Sequence, residues 1–228
     1  MSNTAIKQDL PLIAILGGTG ALGSGLAKRW AKAGYPIIIG SRDPVRAKQS
    51  ALSIVEQLPN SQVIGASNLE ATEKAEIVVL TVPFTYQLTT LEEVQTALDG
   101  KLLIDVTVPL QPPKVGTVKM PSEGSAALRA QAFLGQDVQI VSAFQNVSAG
   151  HLNSDHSIDC DVLVTGNSRP ARNRVISLIE AIGMQGWHAG PLANSVATEA
   201  LTSVLISINR HHKIDGAGIR ITGNSLIK

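Results

Sequence analysis

Three glycines at G-x-G-x-x-G spacing, in Gly18-Thr19-Gly20-Ala21-Leu22-Gly23, are the residues of this chain best suited to holding a phosphate. In such a loop Gly18 permits a tight turn and Gly20 lets the backbone approach a pyrophosphate. Gly23 allows a following helix to pack closely on the preceding strand. A helix opening at this point offers free N–H groups and partial positive charge. The pattern alone is weak, since a glycine-rich turn can bind nothing; its context decides.

That context continues at Gly40-Ser41-Arg42-Asp43. A site for NAD would usually end its second strand with Asp or Glu, accepting hydrogen bonds from a ribose 2′-hydroxyl. Here Ser41 offers a hydroxyl and Arg42 a planar fork suited to phosphate oxygens. Arg46, four residues on, falls on the same face of the following turn. These donors suit a 2′-phosphate, so NADP is the expected dinucleotide; solvated surface charge is the plain alternative for Arg42 and Arg46. Asp43 precedes Pro44 and reads as a helix N-cap rather than a ribose ligand. Thr81-Val82-Pro83-Phe84 and Asp105-Val106-Thr107-Val108-Pro109 end two later strands, where open α/β sheets place ligands. Thr81, Val82 and Pro83 are therefore expected on the cofactor, and Asp105 reads as a carboxylate satisfying nearby backbone N–H groups.

Other reactive side chains point elsewhere. His151 and His156 lie near Asp155, Asp159, Cys160 and Asp161, and His211-His212 follow a long apolar stretch, but none has a known ligand spacing. No metal is expected. Cys160 beside acidic residues is disfavoured as a thiolate. No side chain is singled out as catalytic.

The elements needed to position the loops are legible. Residues 12–16 form an apolar run ending in glycines, as in a buried parallel strand. Further strands are expected at 36–39, 63–64, 76–82, 101–106, 138–143 and 161–165. Helices are expected at 21–33, 44–58, 87–98, 169–182 and 191–210, with a short β-like tail at 218–222. This alternation predicts an α/β Rossmann fold: a doubly wound, mostly parallel sheet with a small C-terminal α/β extension. Residues 1–150 read as the nucleotide-binding domain and 151–228 as a smaller part completing a second cleft.

Bulk composition narrows the classes. The 228 residues carry 19 basic and 18 acidic side chains, which gives no support for a nucleic-acid partner. Hydrophobic residues make up 44% and aromatics 3%, suiting aliphatic strands covered on both faces. One cysteine fits a reducing compartment, residues 1–10 lack a signal-peptide core, and no apolar run approaches the ~20 residues of a membrane span. A cytoplasmic location is expected.

Several stretches, taken in order, are more specific than the glycine loop. They are Leu16-Gly17-Gly18-Thr19-Gly20, Gly40-Ser41-Arg42, Leu80-Thr81-Val82-Pro83 and Leu103-Ile104-Asp105-Val106-Thr107-Val108-Pro109. Gly124-Ser125-Ala126-Ala127, Ser142-Ala143-Phe144-Gln145-Asn146, Gly190-Pro191-Leu192 and Ala217-Gly218-Ile219-Arg220-Ile221-Thr222 follow. Together they resemble the NADP oxidoreductases that act on the 8-hydroxy-5-deazaflavin coenzyme F420. The resemblance implies NADP on Thr19, Ser41, Arg42 and Arg46, with the deazaflavin ring over the nicotinamide. It implies a second-substrate pocket drawn from Ala143, Gln145, Asn146, Leu192, Glu199 and Thr202, and a homodimer through the C-terminal helices. Two positions depart from the family pattern: Val196 stands where an arginine is expected, and Gln145 where histidine or asparagine is. A flavin in place of F420 is therefore the alternative second coenzyme. An NADPH-dependent reductase of a small carbonyl or imine, and a non-catalytic NADP(H)-binding regulatory module, are the other readings.

Overall fold

The computed structural model describes residues 10–223. The expectation for residues 1–10 thus lies outside them except at Leu10. Eight strands form one sheet in the order β3-β2-β1-β4-β5-β6-β7-β8. They are β1 (Ile13–Leu16), β2 (Ile37–Ser41), β3 (Val63–Ser67), β4 (Ile77–Leu80), β5 (Leu102–Asp105), β6 (Gln139–Ser142), β7 (Asp161–Gly166) and β8 (Gln185–His188). Every neighbouring pair is parallel except β6 with β7. Eight helices accompany the strands among the described residues: α1 (Ala21–Lys32), α2 (Pro44–Gln57), α3 (Asn68–Lys74), α4 (Gln87–Val94), α5 (Ala126–Leu134), α6 (Ala149–Asn153), α7 (Arg169–Glu180) and α8 (Ser195–His212).

The strands β1 and β4 are apolar at every position because each face of the sheet has its own helical cover. Ile13 and Ile15 of β1 join one cluster with Leu26 and Trp30 of α1; Ala14 and Leu16 join the other with Leu91 and Val94 of α4. Alternate side chains of a strand point to opposite faces, so a continuous aliphatic run serves both cores. Leu16 pairs with Gly40 on one side and Leu80 on the other. The chain leaves β1 between β2 and β4, where the strand order reverses direction, and such a switch point opens a crevice at the carboxyl edge.

Differences from the sequence expectation have local causes. The helix expected from residue 191 begins at Ser195, after a short 3₁₀ turn at Leu192–Asn194. The stretch 87–98 divides into α4 and a 3₁₀ turn at Gln95–Leu98. The tail at 218–222 is no strand, although Asp161 N donates to Ile219 O at 2.8 Å. No helix among the described residues is long and apolar enough to cross a membrane.

Candidate functional site

The turn from β1 into α1 is built without side chains. Gly17 adopts φ +77°, a conformation open to glycine at little cost, so the left-handed residue is Gly17 rather than Gly18. A Cβ on Gly23 would lie 2.6 Å from Thr81 Oγ1 and 2.7 Å from Gly18 Cα, so only glycine lets α1 start this close to β4. Gly20 caps α1 with no side-chain hydrogen bond, and the first turn holds no acidic residue. The first N–H groups of the helix therefore remain available to an anion. Thr81 fastens the opposite wall: its N–H and its hydroxyl both donate to Leu16 O, at 2.9 and 2.8 Å.

Gly17, Thr19 and Gly20 line a cleft of about 470 Å³ together with Ser41, Arg42, Arg46, Thr81, Val82 and Pro83. Asp43 also lies on its wall, yet its carboxylate accepts from Val45 N at 2.9 Å and Arg46 N at 3.3 Å. It caps α2, the role its place before Pro44 suggests. None of the ion pairs among the described residues involves Arg42 or Arg46. Asn68, Tyr86 and Thr90 complete the wall and were not singled out in the sequence. The Arg42 Cζ sits 4.8 Å from the centre of the Tyr86 ring.

A second cleft of about 440 Å³ shares Gly20, Thr81, Val82 and Pro83 with the first and continues past Ala21 and Leu22. Its remaining wall is Phe84, Thr85, Val106, Thr107, Val108, Leu110, Pro112 and Val115, none of them titratable. Most of this wall comes from the connection between β5 and α5, residues 106–125, which has no regular helix or strand. Asp105 lies behind the wall, fully buried. It accepts from Thr107 N at 2.8 Å and from Gln87 Nε2 at 2.6 Å. Burial raises its carboxyl above the usual carboxylate range, against the hydrogen bonds from Thr107 and Gln87.

The six residues expected in a second pocket are not gathered on this chamber. Ala143, Leu192 and Glu199 are closed inside the protein. Glu199 accepts from Ala126 N at 2.6 Å and Ala127 N at 3.0 Å, so this α8 side chain holds the start of α5. Burial first, and the nearby Asp105 second, push its carboxyl up to about 8. Gln145, Asn146 and Thr202 line a separate cavity of about 300 Å³ against α8. There Gln145 Nε2 donates to Asp105 O at 2.9 Å, and Asn146 Nδ2 to Thr198 O at 3.0 Å. Between Ala143 and Gln145, the buried Phe144 holds φ +71°, a strained conformation for a bulky residue, and packs edge-on to Trp30 at 5.8 Å. Val196 lies against Gly124 and on neither cleft. Among the described residues no group of His, Cys, Asp or Glu could hold a metal ion. Burial raises the Cys160 thiol, which packs against Gly218.

A family profile described as NADP oxidoreductase, coenzyme F420-dependent, matches residues 12–109. The chain is 42% identical over 218 residues to an F420-dependent NADP reductase of Methanothermobacter marburgensis, covering 92% of this chain and 97% of that one. It is 39% identical over 219 residues to a protein of the same name from Methanocaldococcus jannaschii, again over 92% and 97%. Among solved structures, a candidate F420-dependent NADP-reductase from Arthrobacter sp. FB24 superposes with TM-score 0.76 at 24% identity, covering 92% of this chain and 99% of that one. An imine reductase from Bacillus cereus superposes with TM-score 0.62 at 17% identity, over 89% and 62%. The two structural likenesses are of fold.

Proposed function

The chain belongs to the coenzyme F420-dependent NADP oxidoreductases, and we propose that it transfers hydride between NADP(H) and the deazaflavin coenzyme F420 in the groove beside β1 and β4. The observation that carries this reading is the meeting of two unlike clefts at Gly20, Thr81, Val82 and Pro83. One half offers phosphate donors; the other is apolar and sized for planar rings.

The residues present fit the dinucleotide. Gly18 and Gly23 let the turn and α1 pack directly on β1 and Thr81, where a Cβ would collide with the protein itself, and Gly20 with the opening N–H groups of α1 is suited to the pyrophosphate. The Ser41 hydroxyl and the Arg42 and Arg46 guanidinium groups, which have no carboxylate partner among the described residues, would hold the 2′-phosphate. When bound, the two coenzymes supply the hydride donor and acceptor themselves. The chain's part is orientation and the exclusion of water: Pro83, Phe84, Val106, Leu110, Pro112 and Val115 would confine the ring-bearing ends against one another. Reduction of a carbonyl or imine needs a proton donor within reach, and this wall carries no titratable side chain. Hydride added to a deazaflavin leaves the negative charge spread over its N1–C2 carbonyl system, which can take its proton from water, whereas a carbonyl would have to form a localised alkoxide; the lack of a side-chain acid therefore favours a deazaflavin over a small carbonyl.

Of the six expected second-pocket residues, Gln145, Asn146 and Thr202 hold the turn after β6 against β5 and α8, Glu199 holds the start of α5, and Ala143 and Leu192 lie in the two apolar cores. Residues 1–150 hold the nucleotide, whereas 151–228 buttress the groove and supply a dimer face on α8. The outward side of α8 bears Val196, Ala197, Ala200, Leu201 and Val204, an apolar stripe suited to a second copy of the chain. A reducing cytoplasm suits the single buried cysteine.

The direct test offers NADPH with F420, FMN or a panel of small carbonyls and follows NADPH oxidation and deazaflavin absorbance. Turnover with F420 at a kcat/KM far above the others is expected. Turnover confined to FMN or a carbonyl overturns the choice of acceptor. Tight NADPH binding with no acceptor reduced overturns the enzymatic reading altogether.

A further inference from the structure

We propose that Tyr86 is a specificity-determining positioning residue, its ring holding Arg42 in place for the 2′-phosphate of the dinucleotide. The proposal rests on the NADP reading above. Three observations on different elements meet in it.

Arg42 follows β2 on a long, flexible stem, and no acidic side chain pairs with it among the described residues. The carboxylate beside it, Asp43, is occupied by the N–H groups of α2. What Arg42 does meet is the face of Tyr86, with Cζ 4.8 Å from the ring centre, an arrangement in which the negative face of the ring attracts the guanidinium. Both residues line the same cleft, next to Ser41 and Arg46.

The platform is itself fixed from behind. Tyr86 ends a 3₁₀ turn, Phe84–Tyr86, that follows β4. Arg129 of α5 donates from Nη2 to Phe84 O at 2.8 Å and stacks over the Phe84 ring at 3.7 Å. Its Nε donates to Gln87 Oε1 at 2.9 Å, and Gln87 Nε2 in turn binds the buried Asp105 at 2.6 Å. The turn thus has its backbone, one ring and the first residue of α4 anchored to the core, while Tyr86 projects into the cleft with 46% of its surface exposed. An aromatic ring on a braced turn restricts where an otherwise solvated arginine can go, and a pre-placed donor loses less freedom on gripping a phosphate. The benefit falls only on a cofactor carrying that phosphate.

The test compares wild type, Tyr86→Phe and Tyr86→Ala for kcat/KM with NADPH and NADH at saturating F420. It also measures equilibrium affinity for 2′,5′-ADP and 5′-AMP, which needs no turnover. Tyr86→Ala is expected to lower the NADPH-over-NADH ratio, and the 2′,5′-ADP-over-5′-AMP ratio, by roughly 2- to 5-fold, the usual size of such a contact at an exposed site. Tyr86→Phe keeps the ring and should leave both ratios within twofold of wild type. In an Arg42→Ala background the Tyr86→Ala change should have no further effect on either ratio. Equal losses for phosphorylated and unphosphorylated ligands would overturn the proposal, because the ring would then be touching the adenosine or only supporting the fold. An Arg42→Ala variant with undiminished NADPH preference would instead remove the underlying placement of NADP, a failure distinct from that of Tyr86 alone.

Discussion

At the scale of single residues, the glycine loop and the end of β2 do opposite kinds of work. Gly23 acts by what it lacks. In Gly23→Ala the new methyl would meet Thr81 Oγ1 at 2.6 Å and Gly17 O at 2.8 Å, so α1 must move away from β4. The overpacking should cost about 1–3 kcal/mol of stability. NADPH KM should rise on the order of tenfold as the N–H groups of α1 lose their aim. Thermal unfolding and steady-state kinetics measured on one preparation check both, and an unchanged KM would mean that the loop does not hold the pyrophosphate. Arg42 acts by its charge. Losing a charge-assisted hydrogen bond to phosphate costs about 1.5–3 kcal/mol, equivalent to roughly 10- to 100-fold. Arg42→Glu should thus lower kcat/KM for NADPH by about that factor and raise it for NADH, whose free 2′-hydroxyl can donate to the new carboxylate.

At the scale of elements, the tie between α5 and α8 runs through one buried carboxyl. Glu199 titrates near 8 in the folded chain, against 4.5 as its ordinary value, because burial and Asp105 disfavour its charge. Between those pH values the unfolded chain has released this proton and the folded chain retains it. Folding stability contributed by Glu199 is therefore complete below pH 4.5 and is lost as pH rises through about 8. Glu199→Gln removes the titration. Its urea midpoint should be lower than wild type at pH 5.5, since one helix N–H now faces an amide donor, and should fall less between pH 5.5 and 9. Parallel curves for the two proteins would show that Glu199 is ionised throughout. The elements least legible in the sequence are short or polar. The helix α3 has 7 residues, too few for a clear apolar period. The edge strand β8 reads Gln-Gly-Trp-His and gains its place by pairing with β7. The helix α5 carried a usable signal, Ser125 before an alanine-rich run closed by Gly135, and Ser125 does cap it, accepting from Leu128 N at 3.0 Å.

At the scale of the molecule, the sheet crosses residue 150 without a break, β6 pairing antiparallel with β7. The C-terminal residues therefore extend the same sheet, and α8 then packs beside α5 and the turn after β6. In α8 the inward Thr198, Glu199, Ser203 and Leu205 are buried, while Val196 and Val204 are 36% and 43% exposed. If this stripe joins two copies, sedimentation should find a dimer at micromolar concentration and Val204→Glu should shift it to monomer with an unfolding temperature read in parallel. A wild-type monomer at that concentration would refute the assembly.

Short-range information sufficed for much of this. The glycine spacing, the Asp43-Pro44 cap and the Ser41-Arg42 pair at the end of β2 depend on backbone conformation within a few residues. The strand runs around them declare themselves by unbroken apolarity, so the sequence alone determined the mostly parallel, doubly wound class of the sheet and the strand-end turns where a nucleotide is expected. Tertiary structure alone decided which distant groups share a wall. The loop 106–125 lines the apolar cleft, Tyr86 comes beneath Arg42, and Glu199 turns inward to α5. Contacts between residues far apart in the chain follow from how helices pack on the finished sheet, and no local period or spacing encodes them.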